Sequence, residues 1–190
     1  YANLALRGKL LHEVVREQLP ATLAARPDLV SLCAGGNDIM RPSTDPDVLA
    51  TQMYDAVQAL HAVDTRVVLF TGVDPRNVPL LRRTRPKVIA YNDALRRIAD
   101  RFGCVLADLW AMDTLYDWRA WSEDRLHLSA DGHRLVAAHV AELLGLPGGG
   151  DWRMPWPPAT PVSWIRRRRS DARWVRVHLV PWVGRRLRGR

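Results

Sequence analysis

The sequence predicts an α/β fold, a parallel sheet covered by helices on both faces. Three observations carry that expectation. Residues 28–34, 66–71 and 104–108 ("DLVSLCA", "RVVLFT", "CVLAD") are short runs rich in Val and Leu, as strands buried on both faces are. Segments of helical period lie between them. A Gly/Pro-rich break, "GLPGGGDWRMPWPPATP", then ends the alternation near Pro147.

The elements follow in order. Residues 1–6 read as a strand, and residues 9–19 as a helix closed by Pro20, whose ring cannot continue it. After the run at 28–34, residues 47–63 place Leu49, Met53, Val57 and Leu60 at helical spacing. Residues 88–102 do the same with Val88, Tyr91, Leu95, Ile98 and Phe102. A last helix over 130–144 turns Val136, Val140, Leu143 and Leu144 to one side, with Ser129 as N-cap and Asp131 favourable in its first turn. The expected division is a domain over 1–146, a linker over 147–162 and a basic, Trp-bearing helical tail over 163–190.

Composition sets the frame. With 190 residues, 47% hydrophobic and 25% charged, the chain suits one domain with a sizeable core, and no run of about 18 apolar residues is present to span a membrane. The net charge of +8 is uneven: residues 151–190 hold 11 Arg against two acids, whereas 1–150 hold 17 basic against 18 acidic residues. Basic character therefore belongs to the tail. Cys33 and Cys104 lie in apolar runs without metal-ligand neighbours, so both are expected as buried free thiols, which favours a reducing, cytoplasmic setting. The chain opens on "YANLAL" without an initiator Met, so the true N-terminus, together with any signal it carried, is expected to be missing.

Two motifs carry chemistry. "GGND", residues 35–38, follows the first interior strand, where glycines let the backbone turn and the Asn37 amide is placed to donate toward a ligand crevice. The same four residues also suit a plain turn. "DRLH", residues 124–127, follows the last strand and puts a carboxylate three residues before a histidine. Asp124 is placed to accept from one ring nitrogen of His127 while the other faces a substrate. His12, His61, His133, His139 and His178 lie on helix faces without such a setting.

Together, in this order and in a chain of alternating strands and helices, these motifs resemble those of the SGNH hydrolases, also called the GDSL lipase/esterase family. Gly-x-Asn-Asp matches residues 35–38 and Asp-x-x-His matches residues 124–127. The family's second-block glycine is matched by Gly8, and the likeness covers about residues 1–146. The resemblance implies a flavodoxin-like three-layer α/β/α fold and hydrolysis of a small acyl ester by a serine nucleophile. His127 would be general base and then acid, with Asp124 its orienter. The Asn37 side chain and the Gly8 backbone N–H would donate to the oxyanion. No metal or cofactor is implied.

One block of the family pattern is absent. No Gly-Asp-Ser occurs in the sequence, and Ser31, Ser43, Ser122, Ser129, Ser163 and Ser170 are unsuitably placed to replace its serine. The expected consequence is a first strand missing from the sheet centre, and a chain inactive alone. Two other readings stand beside this one: a serine-less binding module attached through its tail to an anionic lipid or nucleic-acid surface, and an acyltransferase on the same triad. No specific nucleic acid is expected as partner.

Three further features bear on substrate and partners. Trp110, Tyr116, Trp118 and Trp121 are candidates for an acyl-pocket wall or for core cover. Arg76, Arg82, Arg83, Arg85 and Lys87 form a basic stretch, solvated or attractive to an anionic substrate. In the tail, Arg166 to Arg169 with Trp164, Trp174 and Trp182 suit either an anionic surface or a brace packed back on the domain, with Trp164, Val175 and Leu179 sharing part of one helix face.

Overall fold

A computed structural model describes residues 1–78, 81–147 and 149–187. The chain divides into two compact units, residues 1–112 with 139–149 and residues 113–138 with 150–190.

The first unit carries the sheet. Helices α1 (Leu11–Glu17) and α2 (Leu19–Ala25) lead into strand β1 (Leu29–Leu32), and a short helical turn, α3 (Gly36–Ile39), follows it. Helix α4 (Pro46–His61), strand β2 (Arg66–Phe70), helix α5 (Arg85–Phe102) and strand β3 (Val105–Ala107) complete the alternation. The strands are parallel in the order β1-β2-β3, with Leu29 opposite Arg66 and Val68 opposite Val105. Both crossovers run in the same direction, so the right-handed rule puts α4 and α5 on one face of the sheet.

Burial follows the apolar pattern. Leu49, Met53, Val57 and Leu60 of α4 and Val88, Tyr91, Leu95 and Ile98 of α5 are all buried, and Phe102 is half-buried against the same cluster. In β2 the successive residues Val67, Val68 and Leu69 are buried, so both faces of that strand are covered. Asp45 caps α4 by accepting from the Asp47 N–H at 2.9 Å, and Pro46 takes the first helical position, where its missing N–H costs nothing.

Four expectations are corrected. Residues 1–6 form no strand and are exposed, because they have no neighbouring strand to pair with. Pro20 does not close a helix over 9–19. It sits in the first turn of α2, the one place where a helix tolerates proline, and α1 ends at Glu17. Cys33 is exposed and Cys104 half-buried, since β1 lies at a sheet edge where Leu29 too is uncovered. The fourth concerns helix α6 (Ala130–Leu143), which buries Ala138 and His139 while Val136 and Val140 are half-buried and Leu143 is exposed. Its inward face is thus rotated from the one the apolar spacing suggested.

The second unit contains two 3-10 turns between Asp113 and Ala120, the loop that follows them, the first part of α6, and the tail. The tail holds α7 (Trp164–Trp174), a π-helical turn (Val175–Leu179) and α8 (Val180–Leu187). The side chain of Trp182 lies outside the described ones. Among the described residues no helix is long and apolar enough to cross a membrane.

Candidate active site

The loop bearing Asp124 and His127 is closed by its own backbone. Trp121 and Leu128 form an antiparallel bridge, and the Ser122 N–H donates to the His127 carbonyl at 2.8 Å. Inside that closure the Arg125 N–H donates to the Ser122 carbonyl at 2.9 Å, a tight turn. Arg125 then adopts the left-handed region at φ 58°, which costs a non-glycine residue about 1–2 kcal/mol. The reversal brings His127 back over Asp124.

Asp124 is the hub. Its Oδ1 accepts from the Ser122 hydroxyl at 2.7 Å and from the backbone N–H groups of Leu126 and His127 at 3.0 Å each. Its Oδ2 lies 2.6 Å from Nδ1 of the His127 ring. Burial opposes ionisation of this carboxyl. The bonds from the His127 backbone and ring, the Ser122 hydroxyl and the Leu126 N–H outweigh it, holding Asp124 far below the usual carboxylate range. An ionised Asp124 at Nδ1 favours the tautomer that carries its proton there, leaving Nε2 as a basic lone pair. The His127 side chain is 48% exposed, and Nε2 has no hydrogen-bond partner among the described residues.

Helix α6 anchors the far side of the loop. The Ser129 hydroxyl accepts from the Gly132 N–H at 3.1 Å, the expected N-cap, while donating to the Arg119 carbonyl at 2.7 Å. A Cβ on Gly132 would meet the Ala120 carbonyl oxygen at 2.1 Å, so only glycine lets α6 start this close to residue 120.

The other two site residues lie in the first unit. Gly8, at φ 84°, forms the turn before α1. Asn37, in α3, donates through Nδ2 to the Lys9 carbonyl at 3.0 Å, and the buried Asp38 accepts from the Leu11 N–H at 3.0 Å. The segment carrying Gly8 is thereby stitched to the one carrying Asn37, and the Asn37 amide keeps a second N–H to donate. Burial raises the Asp38 carboxyl despite that backbone bond. Gly35 packs on Tyr91 of α5, whose ring atoms would be 2.7 Å from an added Cβ, and the Tyr91 hydroxyl donates to the Ala34 carbonyl at 3.3 Å. The bend after β1 is held from below by α5.

The basic stretch is largely structural. Arg76 and Arg85 both pair with the buried carboxylate of Asp74, at 2.7 and 2.8 Å. Lys87 donates to the carbonyls of Pro42 and Thr44 at 2.7 and 2.8 Å. Arg82 and Arg83 are exposed. Of the four aromatic candidates, Trp110 is half-buried against the core with the Arg85 guanidinium over its ring, and Trp121 donates to the Leu115 carbonyl at 2.8 Å. Tyr116 is half-buried and Trp118 is 72% exposed.

Sequence reasoning passed over three features of the loop. Ser122, unsuited to replace the absent serine, has a hydroxyl that holds Asp124. The left-handed Arg125 has no sequence signal, since arginine rarely adopts that conformation. The contacts that Trp174 and Asp171 of α7 make with this loop join residues 46 to 50 positions apart, which no local pattern reveals.

In architecture the chain is a parallel α/β protein with a carboxylate-held histidine on the loop after its last strand. It belongs to the GDSL-like Lipase/Acylhydrolase family, whose model matches residues 1–135. A relative, the GDSL esterase/lipase CPRD49 of Arabidopsis thaliana, is 30% identical over 153 residues. That match covers 70% of this chain and 60% of the relative, so the chain spans well under two thirds of that protein's length. Among solved structures, the acetylxylan esterase Axe2 of Geobacillus stearothermophilus is similar with a TM-score of 0.62 at 20% identity, covering 77% of this chain and 71% of that one. LAE5, an α/β hydrolase from the metagenome of Lake Arreo, Spain, is similar with a TM-score of 0.61 at 22% identity, covering 73% and 69%. At these identities the two structures speak for the fold.

Proposed function

We propose that this chain carries the histidine–carboxylate pair and two oxyanion donors of a serine ester hydrolase acting on small acyl esters. The observation that carries the reading is the Asp124 Oδ2 to His127 Nδ1 contact at 2.6 Å, on an Asp124 that accepts three further hydrogen bonds through Oδ1. In this reading His127 Nε2 takes the proton of a serine hydroxyl as its oxygen attacks the ester carbonyl. Asn37 Nδ2 and the Gly8 N–H donate to the oxyanion that forms. His127 returns the proton to the departing alcohol, and water then cleaves the acyl-serine by the same steps. In this reading the serine belongs to a Gly-Asp-Ser that the sequence lacks, on a strand paired to β1, which lies at a sheet edge with Leu29 uncovered.

The test is a fusion that adds at the N-terminus a strand and loop ending in Gly-Asp-Ser. Hydrolysis of p-nitrophenyl acetate is expected from the fusion and not from the chain alone. It should disappear with His127→Ala and fall on the order of 100-fold with Asn37→Ala. Activity in the fusion that survives His127→Ala, or a folded fusion without any, overturns the reading. Transfer of the acyl group to an alcohol in place of water is read in the same assay by product analysis.

A second reading for the tail rests on residues 164–169, where Arg166 to Arg169 are exposed beside Trp164 and Ile165, themselves 70% and 57% exposed. Cations next to uncovered apolar side chains suit an anionic lipid surface. Co-sedimentation with phosphatidylserine vesicles that weakens with salt supports it, and no binding at low salt removes it.

A further inference from the structure

The tail reaches the Asp124–His127 loop through one face of α7. Trp174 Nε1 donates to the Asp124 backbone carbonyl at 2.9 Å. One residue on, the Arg125 guanidinium lies 5.0 Å over the Trp174 ring and pairs with Asp171 Oδ1 at 2.7 Å. Asp171 and Trp174 are three apart and so share one side of the helix, where both are half-buried while Arg169, Ala172 and Arg173 are exposed. A tryptophan of the linker docks nearby in sequence: Trp156 Nε1 donates to the Thr114 carbonyl at 2.8 Å, with the Arg119 guanidinium 5.0 Å over its ring.

We propose that α7 is a positioning clamp for the histidine–carboxylate pair, with Trp174 and Asp171 as positioning residues that act through the backbone of Asp124 and the side chain of Arg125. Arg125 is the left-handed residue on which the loop's reversal depends. An unrestrained arginine leaves that conformation readily. Held by Asp171 at its charged end and by Trp174 along its plane, it is kept there, and the loop keeps Asp124 Oδ2 against His127 Nδ1. The Trp174 bond fixes the carbonyl of the very residue whose carboxylate orients the ring. Neither clamp residue touches His127 or any reacting atom. The clamp rests on the ester-hydrolase reading for its purpose and on the loop contacts alone for its existence.

The test is made on the chain itself and needs no nucleophile. The His127 Nδ1 proton is followed by NMR through its downfield shift and its exchange with water. Trp174→Phe keeps a ring beneath Arg125 and removes the N–H donor; Asp171→Asn keeps the size and removes the charge. Each is expected to speed exchange of the His127 Nδ1 proton by about tenfold, the effect of losing one ordinary hydrogen bond, and to move its resonance upfield. Exchange of the Trp156 Nε1 proton, docked elsewhere by the linker that precedes the tail, should not change, and Asp171→Glu should restore most of the protection. Unchanged His127 exchange in both variants overturns the clamp. So does an equal rise at Trp156, which marks general loosening. Failure of the Gly-Asp-Ser fusion to hydrolyse esters leaves this readout untouched, and a failed clamp leaves the fusion assay untouched, so the two ideas fall separately.

Discussion

Replacing Gly132 by alanine sets two effects of opposite sign against each other. Gly132 lies in the first turn of α6, and alanine is the better helix former by about 1 kcal/mol, so helix propensity alone calls for stabilisation. The packing calls for the reverse. The new Cβ would stand 2.1 Å from the Ala120 carbonyl oxygen and 3.0 Å from its carbon. A tolerable carbon–oxygen contact is about 3.3 Å, so that carbonyl must retreat by about 1 Å. It cannot do so freely, because it accepts from the Ser129 N–H at 2.8 Å, and a shift of that size breaks the bond. A lost backbone hydrogen bond of about 1 kcal/mol and overpacking of about 1–3 kcal/mol exceed the propensity gain by about 1–3 kcal/mol. For a chain of this length that lowers the melting temperature by about 2–12 °C. Thermal melts of wild type and Gly132→Ala, followed by circular dichroism in one buffer, decide it. A melting temperature equal to or above that of wild type refutes the reasoning, because α6 then does not start against residue 120.

Two other predictions concern the carboxylates. Asp124→Asn presents an N–H group where Oδ2 meets the ring, so the His127 proton is expected on Nε2; 15N shifts of the ring read the exchange of tautomers, and in an active fusion the rate should fall on the order of 10⁴-fold. For pH, burial opposes ionisation of Asp74 as well, and the bonds from Arg85 and Arg76 prevail, so both Asp74 and Asp124 have lowered folded-state pKa values. Their contribution to stability is therefore complete above the ordinary carboxylate range and is lost as pH falls through their folded values; the melting temperature should drop between about pH 4 and pH 2, and drop less in Asp74→Asn and Asp124→Asn. Asp38, raised by burial, works in the opposite sense, gaining stability as it protonates.

Much of the first unit was legible because its signals are local and strong. Strands at 28–34, 66–71 and 104–108 appear as β1, β2 and β3 within those bounds, and the four core positions expected of α4 are all buried. A period of 3.6 residues survives any tertiary context that needs one covered face. The misreadings occur where context decides. Residues 1–6 are apolar enough for a strand, but a strand exists only with a partner. Pro20 is compatible with ending one helix and with starting another, and spacing alone does not choose. In α6 the inward face follows from the contacts of Gly132 and Ser129 with residues 119 and 120, which rotate the helix away from its most apolar stripe. At the site, the identities of Asn37, Asp124 and His127 stood out from the motifs, whereas the atoms that hold them belong to backbone or to distant side chains.

That division also explains how the histidine–carboxylate pair is held by its own loop. The hydrogen bonds described above that fix Asp124 against His127 come from residues 119 to 132 or from α7. None of them depends on where a nucleophile lies. The ring is oriented by a carboxylate already committed to ionisation, and that carboxylate is oriented by a loop whose closure is its own. The pair is therefore set in place by its own loop and by α7.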